Sequence, residues 1–116
     1  MNREIKFRAW VESTLGDYMA IQGTPDLETL ESFMYHYSDC KNLMQFTGLL
    51  DKNGREIYEG DINSYGYVIK YCEKKALFGE YGTRDKKNYD VLMSYPMNSI
   101  DMIILGNIYE NPELLN

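Results

Sequence analysis

The chain has one histidine, two cysteines, three prolines and a single tryptophan among its 116 residues. With one histidine, a His-dependent nucleophile would have to join His36 to Cys40, Cys72 or a serine through tertiary contact, and no flanking stretch reads as a nucleophile elbow or a cysteine-protease segment. The cysteines form no CxxC pair, so two reduced thiols are expected and redox chemistry is not indicated. No apolar run approaches the ~18 residues needed to cross a bilayer, and "MNREIKFRAW" is not a cationic stretch followed by an apolar signal core. A cytoplasmic protein is expected. Cations are also in deficit: twelve Lys and Arg stand against eighteen Asp and Glu, a formal charge of −6, which opposes nonspecific binding to nucleic acid or anionic membrane. Neither GxGxxG nor GxxxxGK[ST] occurs, which removes the two best-defined phosphate-cradling loops. Carboxylate pairs are abundant in so acidic a chain and point to no particular chemistry. No enzyme activity, cofactor or metal is expected from this inventory.

Hydrophobic residues make up 44% and charged residues 26%, so the chain folds, and its length suits one domain spanning residues 1–116. In "IKFRAWV", Ile5, Phe7, Ala9 and Val11 alternate with Lys6, Arg8 and Trp10, the period of a half-buried strand. "YMAIQG" follows as a short partner strand. "TPDLETLESFMYHY" changes period: Thr24 suits the cap, Pro25 the first position, and Leu27, Leu30, Phe33, Met34 and Tyr37 form one stripe, predicting a helix over about 25–37. From residue 43 the pattern is β again. "LMQFTGLL" and "REIYEGDI" flank "DKNG", a hairpin turn built on Asn53-Gly54, and Gly60 suits a bulge or sharp bend. "SYGYVIKYC", "YDVLMSY" and "IDMIIL" read as further strands around a hydrophilic "GEYGTRDKKN", and "NPELL" as a capped helical turn. Many short strands with one helix predict a small, mainly β, barrel-like domain.

Four features are candidate sites. Asp51, Asn53, Glu56, Glu59 and Asp61 offer oxygens, but the order of an EF-hand loop is absent, and the stretch reads as a hairpin that positions something else. His36 and Cys40 stand four residues apart at the end of the predicted helix, a spacing at which two ligands can share one metal, yet only Cys72 and nearby carboxylates could complete a zinc site. Tyrosine is in excess, eleven of the sixteen aromatics, and Tyr65, Tyr67 and Tyr71 fall with Ile69 on one predicted strand face. Finally, residues 70–87 hold six of the twelve cations against three acids, a local +3 that leaves −9 on the remainder. Rings beside cations hold bases or nucleotides on some β-barrels. Such rings more often pack a small core with hydroxyls at the rim, and tyrosine is also an interface residue. The candidate binding surface is therefore Tyr65, Tyr67, Tyr71 and Tyr81 with Arg84, Lys86 and Lys87.

Three blocks, "IKFRAW" (5–10), "LMQFTGLLDKNGREIYEGDI" (43–62) and "GNIYENPELL" (106–115), resemble the YopX family of small proteins encoded mainly by bacteriophages and prophages. The resemblance implies an SH3-like pseudobarrel, a tendency to form homo-oligomers, and a phage accessory role. Val11, where the family usually has an acid, and Asn63, where it usually has an apolar residue, depart from the pattern. The resulting expectation is a nonenzymatic binding protein that modulates a host or phage protein. The alternatives are sequestration of a small anionic ligand such as a nucleotide defence signal and, more weakly, specific nucleic-acid binding.

Overall fold

A computed structural model describes residues 4–23, 28–73, 76–81 and 101–115. It is mainly β, with two four-stranded antiparallel sheets curled into the SH3-like pseudobarrel that the sequence led us to expect. The first sheet runs β2 (Tyr18–Ile21), β1 (Phe7–Val11), β3 (Leu43–Leu50) and β4 (Glu56–Tyr58). The second runs β7 (Leu77–Tyr81), β6 (Val68–Cys72), β5 (Asp61–Asn63) and β8 (Ile104–Asn107). One helix, α1 (Leu30–Tyr37), lies between β2 and β3, and a 3-10 turn closes the chain at Pro112–Leu115.

The predicted β1–β2 hairpin forms, with Ala9 opposite Ala20 and Val11 opposite Tyr18. Alternation puts Phe7, Ala9 and Val11 on the face covered by α1, where Phe33 is fully buried against Ala9 and Ala20. Arg8 and Trp10 point to the other face: Trp10 stacks on Tyr109, ring centroids 6.1 Å apart, and Arg8 reaches the second sheet. The helix expected from residue 25 begins later, at Leu30, because Thr29 makes the cap. The Thr29 hydroxyl accepts from the Ser32 N–H, and the Ser32 hydroxyl accepts from the Thr29 N–H, a reciprocal capping box. Thr24, Pro25, Asp26 and Leu27, on which the earlier start rests, lie outside the described residues, as does the "YDVLMSY" strand.

The stretch "REIYEGDI" is two strands. Between β4 and β5 the chain turns from one sheet into the other at Gly60, whose φ of +85° favours glycine and whose Cα a Cβ could not extend without meeting Met44 Sδ at 3.0 Å. Arg8 clamps this corner. Its guanidinium donates to Asp61 Oδ1 at 2.7 Å and to the Glu59 carbonyl at 3.3 Å, and it lies over the Tyr58 ring at 4.6 Å. Asp61 Oδ2 accepts from the Tyr58 N–H at 2.8 Å.

A second hairpin turn, hidden when 64–72 is read as one strand, repeats the geometry of the first. In Asp51–Arg55 and in Asn63–Tyr67 the first side chain accepts from the N–H groups two and four residues on, at 2.9 to 3.0 Å. In both, the first N–H donates to the fifth carbonyl, and a glycine with φ of +83° (Gly54 or Gly66) donates back to the first carbonyl. The turns "DKNGR" and "NSYGY" are thus one device used twice, a β-hairpin loop that needs a short polar side chain first and glycine fourth. "LFGEY", predicted to run into a hydrophilic loop, contains the strand β7 that pairs with β6 from Val68–Tyr81 to Cys72–Leu77. A second core cluster joins Ile57 of β4 to Ile69 of β6, Ile104 of β8 and Met102.

Asn63 also explains its own departure from the resemblance. Fully buried, it donates from Nδ2 to Glu80 Oε1 at 2.6 Å while its Oδ1 caps the turn. Asn63→Ala is expected to cost about 2 kcal/mol through two orphaned N–H groups and a stranded carboxylate. Urea denaturation reads this directly, and a midpoint unchanged from wild type would show that water replaces the side chain.

Candidate functional site

The carboxylates of the Asp51–Asp61 stretch are taken up by the fold. Asp51 is nearly buried, and its carboxylate accepts from Asn53 and Arg55 through Oδ1 and from Ile104 through Oδ2 at 3.0 Å. It ties the β3–β4 turn to the start of β8. Burial pushes this carboxyl up, but the Ile104, Arg55 and Asn53 N–H groups outweigh it and hold the group below its ordinary value. A carboxylate filled by three donors has little left to offer a cation. Asp61 is committed in the same way to Arg8 and Tyr58; burial pushes its carboxyl up against their pull. Among the described residues no group of three or more His, Cys, Asp or Glu could hold a metal ion.

The tyrosine surface does not assemble on one face. Ile69 and Tyr71 share a side of β6 by alternation, with Tyr67 just before the strand, and Ile69 is fully buried in a cluster with Ile57, Met102 and Ile104, so the two rings flank core rather than form an open face. Tyr71 packs edge-on against Phe78, centroids 5.2 Å apart. Tyr65 is in the turn before the strand, largely exposed. Tyr81 pairs with Val68 on the opposite face and is buried. The structure therefore brings Tyr67 and Tyr71 to one side and separates Tyr81 from them, while Arg84, Lys86 and Lys87 lie outside the described residues.

A different concavity stands out, of about 540 Å³, where the end of β1 and start of β2 meet the C-terminal end of α1 and the approach to β3. Its wall includes Glu12, Tyr18, His36, Tyr37, Cys40 and Asn42. Here the His36–Cys40 spacing has a use, since both residues face one groove. The Cys40 thiol donates to the Trp10 carbonyl at 3.3 Å, the Asn42 amide approaches the same carbonyl at 3.5 Å, and the Trp10 N–H donates to the Asn42 carbonyl at 3.1 Å. These contacts fix the floor. On the wall the Tyr18 and Tyr37 hydroxyls lie 3.4 Å apart, and this hydrogen bond together with burial pushes the Tyr37 phenol up to about 12. Lys41 and Glu12 stand 3.9 Å apart at the exposed rim, a pairing of little energetic weight. The groove has a size typical of ligand sites and holds hydrogen-bonding groups with aromatic edges. Sequence reasoning reached only His36 and Cys40, because residues 10–18 and 36–42 meet through tertiary packing of α1 on β1.

No helix among the described residues is long and apolar enough to cross a membrane. No curated protein matches the chain. The fold is similar to the crystal structure of protein EF1440 from Enterococcus faecalis, with a TM-score of 0.53 and 24% sequence identity, covering 99% of this chain and 100% of that one. The YopX protein family model matches residues 14–116, a span that contains the 43–62 and 106–115 blocks and begins after "IKFRAW". On that match over nearly its whole length, the chain belongs to the YopX family.

Proposed function

We propose that this chain is a nonenzymatic phage or prophage accessory protein that docks a protein partner in the groove between α1 and the β1–β2 hairpin and modulates it. The observation that carries this reading is a division of labour among polar groups. The buried ones, Asp51, Asp61, Asn63 and Asn107, are taken up in turns and the sheet corner, whereas Tyr18, His36, Lys41 and Glu12 are exposed around one concavity. Shape and hydrogen-bonding capacity thus coincide at a place whose floor is held by folding contacts and whose rim side chains are exposed. An anionic small ligand is less favoured there, since Glu12 shares the rim with Lys41; Arg84, Lys86 and Lys87, the cations of the candidate surface, lie outside the described residues.

Native mass spectrometry on protein purified gently from a bacterial host lysate tests the reading. The wild type is expected to carry a macromolecular increment that Tyr18→Ser loses and Tyr65→Ser, on the other sheet, retains. Loss in Tyr65→Ser with retention in Tyr18→Ser would move the docking surface to the β5–β6 turn. An increment of small-molecule mass would instead favour sequestration.

A further inference from the structure

We propose that the partner segment is an extended, Lys/Arg-rich stretch of protein that adds to β2 as a fifth strand of the first sheet, an inference that rests on the protein-docking reading above. Among the described residues β2 is the outer strand of that sheet. The direction of its backbone groups follows from three hydrogen bonds. Phe46 N–H donates to the Lys6 carbonyl and Trp10 N–H to the Asn42 carbonyl, so even-numbered residues of this hairpin arm serve β3. Gln22 N–H donates to the Phe7 carbonyl, so the odd-numbered ones serve β2. With Val11 opposite Tyr18 and Ala9 opposite Ala20, the N–H and C=O groups of Tyr18 and Ala20 turn inward to β1, and those of Met19 and Ile21 turn outward.

Exposed edges are usually guarded by lysine, proline or a bulge. "YMAI" has none of these, and Tyr18 and Ile21 are 46% and 40% exposed along it. An unguarded edge beside a groove is the arrangement used when a peptide supplies a strand and its alternate side chains enter adjoining hollows.

Charge selects the occupant. Glu12 and Asp17 flank the β1–β2 turn, and Glu28, Glu31 and Asp39 lie along or beside α1; all five are exposed, and Lys41 is the lone cation among residues 10–23 and 28–42. Five acids against one cation leave −4 of charge on these residues. The loose Lys41–Glu12 pairing yields readily to an incoming cation, and the exposed ring of Tyr18 offers it an aromatic face. An acidic segment would meet net negative charge, relieved only where Lys41 stands at the rim and where Lys6, itself paired with Glu56, approaches Gly23 beyond β2.

The test uses the full chain and labelled, end-capped peptides with alternating Lys and Thr, alternating Glu and Thr, and Thr alone, read by fluorescence anisotropy. The Lys peptide is expected to bind, to weaken about tenfold or more between low and high salt, and to weaken about tenfold with the triple variant Glu12→Gln/Glu31→Gln/Asp39→Asn. All three acids are exposed, so that variant is expected to keep the wild-type circular dichroism spectrum. Met19→Pro, which removes an N–H that β1 does not use, is expected to abolish binding while circular dichroism stays unchanged. Equal binding of the Glu or Thr peptide with the same loss in Met19→Pro would overturn the basic class and leave strand addition standing. No peptide binding, with the partner increment in native mass spectrometry intact, would overturn strand addition and leave the docking reading standing. Loss of both would remove the reading itself.

Discussion

Arg8→Met is expected to destabilise the protein by about 3–5 kcal/mol, which at this size lowers Tm by about 12–20 °C. Arg8 and Asp61 are both almost completely buried, their side chains 2.7 Å apart. Removing the guanidinium leaves the Asp61 carboxylate with the Tyr58 N–H and no counter-charge, at the corner where the chain passes between sheets. It also strips the cation from the Tyr58 ring, whose buried hydroxyl has no hydrogen-bond partner among the described residues, and neither has Arg8 Nε. The double variant Arg8→Met/Asp61→Asn is expected to lose less than the sum of the single changes, because the introduced amide has no charge to strand and its oxygen still accepts from Tyr58. Thermal melts of the four proteins supply the cycle. Additive losses would mean that the two side chains stabilise the corner independently.

Asp51→Asn is expected to cost about 2–3 kcal/mol at neutral pH, since an amide has one acceptor oxygen for three converging N–H groups and turns its own NH₂ against one of them. The pH dependence has a definite sign. The folded-state pKa of Asp51 lies below the ordinary value of 3.8, so the unfolded chain takes up the proton first. The stabilisation is complete above about pH 3.8 and disappears as pH falls through the lower, folded value. The gap between wild type and Asp51→Asn should therefore narrow in acid, as protonated Asp51 comes to resemble the amide. Asp61 and Glu80, whose carboxyls burial pushes up, are common to both proteins and cancel in the comparison. A gap that stays constant from neutral pH to strong acid would show that the three N–H bonds do not depend on the charge.

What could be read from the sequence was whatever a local pattern enforces. The alternation of Phe7, Ala9 and Val11 yielded β1 and its buried side, and Asn53-Gly54 yielded the hairpin, because period and positive φ are decided within a few residues. Gly60 was legible as a bend for the same reason. The errors arose where tertiary contacts decide. β7 was hidden because Glu80 reads as a loop residue until Asn63, seventeen positions earlier, supplies its partner. Tyr65 was placed on a strand face because the turn that holds it is marked by Asn63 and Gly66, and the match of "NSYG" to "DKNG" is visible only once the shared hydrogen bonds are known. The groove was least legible of all. His36 and Cys40 are four residues apart at and beyond the end of α1, but their approach to Trp10, Tyr18 and Asn42 comes from Phe33 packing on Ala9 and Ala20.

The measurement that bears most directly on the docking surface is hydrogen–deuterium exchange of the full chain, alone and with the partner it retains from lysate. Protection is predicted at Met19 and Ile21 and through residues 10–18 and 36–42, with the Asp51–Tyr67 turns unchanged. Protection centred on Tyr65 and Tyr71, with the groove exchanging as in the protein alone, would contradict it.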